Sequence, residues 1–258
     1  MRLLSAAMTA MLLLPIPAKA ADVYKVLAPA RQLVKTADYR ASGHLVRVDA
    51  NGNRISYPIT IKAHWFNGVL RVLVEIVPPP EAHRDARAHI LLEMRPNGRN
   101  TILIAHPGDK TPVSLPFDKW SDGPLGSDFS YEDFLEAQYF WPDQAVVEET
   151  KYGARDCDVV KSTPVAADRT RYSEVRSWLD HGIGFPVYVE KTLKETGTVK
   201  EFTYYGLRHE GGIWSAHQVE VKLRGRAGST LLIIDRGSAK AHLSLADFSL
   251  AQLTHFQD

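Results

Sequence analysis

The chain has 258 residues, a formal net charge of +1 from 31 Lys+Arg and 30 Asp+Glu, and an apolar fraction of 45%. That apolar fraction excludes a wholly disordered chain, and the charge balance argues against a nucleic-acid binder, which needs a clustered basic surface. The single cysteine, Cys157, excludes an intrachain disulfide framework and any multi-cysteine zinc or iron–sulfur site.

Residues 1–20 read as a secretory signal peptide. Arg2 supplies a short basic start, and Leu3 to Pro17 carry no charge. Ala18-Lys19-Ala20 places small residues where signal peptidase reads, so cleavage is expected after Ala20. The apolar run is shorter than the roughly 20 residues of a membrane span. No twin arginine is present, which favours the general secretory route, and no cysteine follows the cleavage point to take a lipid. Without Arg2 and Lys19 the remaining chain holds 29 basic and 30 acidic residues, a net charge of −1. The expected product is a soluble periplasmic protein of one domain, residues 21–258. In that oxidising compartment a lone Cys157 is expected to be buried.

Next comes a helical stretch over about Val23 to Asp38, and then a period-two pattern. Ile55, Tyr57, Ile59, Ile61, Ala63 and Trp65 alternate with Ser56, Pro58, Thr60, Lys62 and His64, which predicts a half-buried strand. Pro58 lacks a donor and implies an edge or a bulge. Asn67-Gly68 is a strong hairpin signal. The partner strand is Val69–Val77, with Leu70, Val72, Val74 and Ile76 on one face, ended by Pro78-Pro79-Pro80. An earlier strand, Leu45–Asp49, joins the one from Arg54 through residues 50–53. His89–Met94 and Thr101–Ala105 form another pair around Pro96-Asn97-Gly98.

In the middle, Gly126-Ser-Asp-Phe-Ser-Tyr-Glu-Asp133 leads into an expected helix, Phe134–Phe140, with Ser130-x-x-Asp133 as its start. Strands return over about Ala145–Tyr152, Asp156–Thr163, Glu174–Asp180, Val187–Thr192, Val199–Leu207, Ile213–Leu223 and Thr230–Asp235. Their turns are Gly153-Ala154, Gly182-Ile183-Gly184, Thr196-Gly197 and Glu210-Gly211-Gly212. Leu243–Leu253 is apolar and reads as helix or extended chain. Hairpin spacing with no linker predicts an antiparallel sheet that curls towards a barrel.

The chain carries no Gly-x-Ser-x-Gly elbow, His-Glu-x-x-His, P-loop or Gly-x-Gly-x-x-Gly. Its ten histidines are scattered, and the nearest pair, His83 and His89, lacks zinc spacing. Glu132-Asp133 and Glu148-Glu149 are adjacent acids whose side chains diverge, so they read as solvated charge or helix-start chemistry. No catalytic residue, metal or cofactor is assigned. What remains is apolar strand surface: Ile59, Ile61, Trp65, Leu70, Val72, Val74 and Ile76 are the candidates to line a ligand cavity.

Gly126-Ser127-Asp128-Phe129-Ser130-Tyr131-Glu132-Asp133 closely resembles the LolA-like family of outer-membrane lipoprotein-sorting proteins. Trp65-Phe66-Asn67-Gly68-Val69-Leu70-Arg71-Val72 is similar to the family's early hairpin. Asp156-Cys157-Asp158-Val159-Val160, Phe185-Pro186-Val187-Tyr188-Val189-Glu190 and Gly211-Gly212-Ile213-Trp214 resemble its later strands. The resemblance implies a mainly β (α+β) fold, an unclosed antiparallel β-barrel wrapped around a few helices, with a hydrophobic cavity. It also implies a periplasmic carrier or chaperone, not an enzyme, that shields acyl chains of a lipoprotein or lipid. The expected partners are those chains and an inner- or outer-membrane protein complex, with no nucleic acid, and the expected state is a monomer. The alternative is a periplasmic sensor or adaptor that binds a membrane-protein partner on the same fold.

Overall fold

The computed structural model describes residues 22–78, 87–96, 98–210 and 212–256. The expected signal peptide and its cleavage site lie outside the described residues, as do Pro79, Pro80, His83, Asn97 and Gly211.

A first helix, α1 (Val23–Lys35), starts at Asp22, whose carboxylate accepts from the Tyr24 N–H at 3.1 Å. It ends three residues before the predicted boundary, because the chain from Asp38 already belongs to a strand. Leu27, Ala30 and Val34 form its buried stripe.

Among the described residues thirteen strands follow: β1 (Asp38–Val48), β2 (Arg54–Phe66), β3 (Val69–Ile76), β4 (Ala88–Met94), β5 (Thr101–Ala105), β6 (Val113–Ser114), β7 (Asp143–Tyr152), β8 (Arg155–Thr163), β9 (Tyr172–Asp180), β10 (Pro186–Leu193), β11 (Val199–Glu210), β12 (Ile213–Leu223) and β13 (Ser229–Ser238). They make one antiparallel sheet in the order β6-β5-β4-β3-β2-β1-β13-β12-β11-β10-β9-β8-β7. The chain thus builds one half outwards from β1 to β6, crosses over, and builds the other half back from β7 to β13. The two halves join where β1 pairs with β13. Among the described residues no strand pairs with the outer edges of β6 and β7, so the sheet is open and does not close into a barrel.

The Asn67-Gly68 turn has φ of 45° and 85°, the positive pair that a two-residue hairpin requires. Pro58 lies inside β2, which is interior to the sheet. Its carbonyl accepts from the Val77 N–H at 2.9 Å, just past the end of β3. The ring nitrogen faces that same side, where the neighbouring strand is ending, so the missing donor disturbs little of the ladder.

The sheet has an inner and an outer core. Inward side chains such as Val72, Val74, Ile90 and Phe202 meet α1 and the crossover segment between β6 and β7. On the other face, Leu73 and Leu91 are covered by Leu243, Phe248 and Leu253 of the C-terminal segment, which contains α2 (Leu250–Thr254). The expected helix over 134–140 is not formed. Two short 3-10 turns, Tyr131–Phe134 and Ala137–Phe140, replace it. Leu135 between them is extended (φ −108°, ψ 129°), and the Asp133 side chain is held by strands of the second half of the sheet.

Candidate functional site

The crossover segment is fastened to the second half of the sheet by polar contacts of the 126–133 block. The Asp128 N–H donates to Thr230 Oγ1 at 2.8 Å, and that hydroxyl donates back to Asp128 Oδ2 at 2.9 Å. Glu132 accepts from Thr170 Oγ1 at 2.9 Å and from the Arg171 N–H at 3.1 Å. The motif therefore works as a staple across the inside of the sheet. Glu132 and Asp133, read as solvated charge or helix-start chemistry, are both buried, and Asp133 does cap the short turn that starts at Ser130.

Asp133 is the hub. Its Oδ1 accepts from Tyr172 Oη at 2.6 Å and from Lys191 Nζ at 3.0 Å. Its Oδ2 accepts from the Ser130 N–H and Oγ, each at 2.8 Å, and from Lys200 Nζ. Burial by itself raises the Asp133 carboxyl, but Lys200, Lys191 and Tyr172 outweigh it and hold the group well below the usual carboxylate range. Glu132 goes the other way: burial, then the Asp133 charge, push it up to about 7. Burial lowers Lys200, with Asp133 opposing. Both ammoniums also lie against ring faces, Lys191 at 4.6 Å from the Phe202 centroid and Lys200 at 5.7 Å.

This cluster forms the floor of a cavity of about 340 Å³ between the two halves of the sheet. Asp133, Lys191, Phe129 and Phe202 stand at its buried end. Its walls are apolar: Leu33 and Val34 from α1, Ile61 and Ala63 from β2, Val219 from β12 and Ile234 from β13. Its mouth is polar and exposed, with Arg208, Glu210 and Asp235. Glu136 lines the wall, its carboxyl raised by burial against the pull of Lys191.

Of the seven candidate lining residues, Ile61, Leu70 and Val72 border the cavity. Ile59, Val74 and Ile76 face the same interior but are buried in packed core away from it. Trp65 stacks on Phe140 with centroids 5.9 Å apart. Sequence reasoning missed the polar floor. Its signal was present in the alternation Val187, Val189, Lys191 along β10 and Lys200, Phe202, Tyr204 along β11, which places each lysine on an apolar face. Cys157 is fully buried. Among the described residues no group of three or more His, Cys, Asp or Glu could hold a metal.

An open antiparallel sheet curved around an apolar cavity is the LolA-like fold, and solved structures agree. A domain described as an outer membrane lipoprotein-sorting protein from Vibrio parahaemolyticus matches at a TM-score of 0.78 and 18% identity, over 91% of this chain and 100% of that one. A DUF1329 family protein from Desulfovibrio piger matches at 0.77 and 17%, over 90% and 97% of the two chains. A LolA superfamily protein from Nitrosomonas europaea matches at 0.66 and 14%, over 92% and 100%. No curated protein sequence matches the chain. A family model described as "Uncharacterized protein" matches residues 91–255, and the chain belongs to that LolA-like family.

Proposed function

We propose that the protein is a periplasmic carrier that shields an acyl chain of a lipid or lipoprotein from water. Residues 1–20 would direct its export and residues 21–258 would form the working domain. The carrying observation is the apolar cavity, buried at one end and open at the other. Burial of each methylene is worth about 0.8 kcal/mol, so twelve methylenes gain roughly 10 kcal/mol before the cost of ordering the chain. At about 340 Å³ the cavity lies near the lower end of the range for single-ligand sites, about 300–1,000 Å³, and suits one chain better than several. Ile61, Leu70 and Val72 are proposed to contact the bound chain. The role needs no catalytic residue, no cofactor and no nucleic acid, and a monomer suffices for it.

The test is to recover the protein from the periplasm of a bacterial host and identify its lipids by mass spectrometry. The carrier reading expects one acyl-bearing molecule per chain. Protein that emerges without lipid and binds no fluorescent fatty acid contradicts it.

A second reading, a sensor or adaptor for a membrane-protein partner, is favoured by the open edge of β7, where Val147 is exposed and a partner strand could pair. Crosslinking that returns one dominant membrane protein through β7 would support this reading over the first.

A further inference from the structure

The polar floor of the cavity sets the chemistry of its ligand. Lys191 Nζ has three donors but only one oxygen partner among the described residues, Asp133 Oδ1, and its other near neighbours are the rings of Phe202 and Tyr172. Asp133 has no capacity to spare, since both its oxygens already accept from Ser130, Tyr172, Lys191 and Lys200. Lys191 and Lys200 thus share the single carboxylate of Asp133 at the buried end of the cavity. Glu132 is turned away, towards Thr170 and Arg171. The Glu136 carboxyl shares the cavity wall with Lys191 and makes no hydrogen bond or ion pair among the described residues. Among the described residues Lys191 keeps two N–H donors free towards the cavity, so an incoming anion finds a partner at this end.

We propose, resting on the carrier reading above, that the cavity takes a long-chain carboxylic acid head first, its carboxylate accepting from Lys191 Nζ and from the Glu136 carboxyl. The chain then runs along Ile61, Ala63, Val219 and Ile234 to the mouth at Arg208 and Glu210. Burial holds Glu136 towards its protonated form, which can donate to the bound carboxylate. The opposite orientation, with the head outside, would place the carboxylate near Arg208.

The experiment is displacement of the neutral probe N-phenyl-1-naphthylamine from the purified protein by palmitate and by methyl palmitate. The wild type should bind palmitate at least about tenfold more tightly than the ester. Lys191→Met should abolish that preference while still binding both, and Arg208→Gln should leave it unchanged. If Lys191→Met does not fold, Glu136 decides: Glu136→Gln keeps a donor and the preference, and Glu136→Leu reduces it. Equal displacement by acid and ester overturns the inference and leaves the carrier reading standing. A preference lost in Arg208→Gln but kept in Lys191→Met also overturns it. Failure of both lipids to displace the probe counts against the carrier reading itself.

Discussion

Lys191 Nζ donates to Asp133 Oδ1 at 3.0 Å across 58 residues of sequence, and both side chains are almost fully buried. The contact ties the crossover segment to β10, and Lys200 ties the same carboxylate to β11. Replacing Asp133 by alanine leaves two buried ammoniums without their counter-charge. The expected loss is about 3–5 kcal/mol of folding stability, read as a lower urea midpoint. An unchanged midpoint would mean that the lysines re-solvate at no cost.

Glu132 provides a pH signature. Its pKa is about 7 in the folded chain against an ordinary 4.5. Between those values the folded chain keeps a proton that the unfolded chain releases. Its contribution is therefore complete below 4.5 and is lost as pH rises through 7, a change of roughly 3 kcal/mol. Unfolding curves at pH 4.5, 6 and 7.5 should show Glu132→Gln gaining on the wild type as pH rises. Parallel curves would contradict this.

Gly43 sits at the register shift where β1 meets β13, and a Cβ there would lie 1.9 Å from the Ile233 carbonyl oxygen. Backbone cannot move aside as a flexible side chain can. Gly43→Ala should cost about 3 kcal/mol or more and lower the melting temperature by several degrees. A variant that melts with the wild type would show that the two strands separate easily.

Cys157 is fully buried at the start of β8, and burial pushes its thiol up. Reaction with Ellman's reagent should be slower in the native protein than in urea by on the order of a hundredfold. Equal rates would mean that the β7–β8 end of the sheet opens freely.

The strands were legible because both period-two alternation and turn chemistry mark them. Ile213–Leu223 and Thr101–Ala105 match their predicted bounds, and Asn67-Gly68 makes the expected turn. The helix was read to Asp38 and the first strand only from Leu45, whereas β1 begins at Asp38, because residues 38–44 mix polar and small side chains without clear alternation. The 134–140 stretch has helical spacing of apolar groups, yet tertiary contacts win there: Asp133 is held by lysines far away in sequence, and Leu135 turns extended. The cavity was legible only as apolar strand faces. Which of those residues border open space depends on how α1 and the crossover segment fill the inside: Ile61, Leu70 and Val72 border the cavity, while Ile59, Val74 and Ile76 pack into core away from it. The floor was missed because the adjacent acids read as solvated charge or as a helix start, which Asp133 does supply to the turn from Ser130, although Lys191 and Lys200 stood on apolar strand faces.

The central claim is that the cavity holds one acyl chain, and titration of a fluorescent fatty acid into the wild type and Ala63→Trp tests it most directly. Ala63 lies on the cavity wall between Tyr39 of β1 and Val72 of β3, so an indole there would occupy the space of the chain. The account predicts saturation at one ligand per wild-type chain and at least about tenfold weaker binding by a variant that still melts cooperatively. No saturable binding by the wild type, or equal binding by the folded variant, would contradict it.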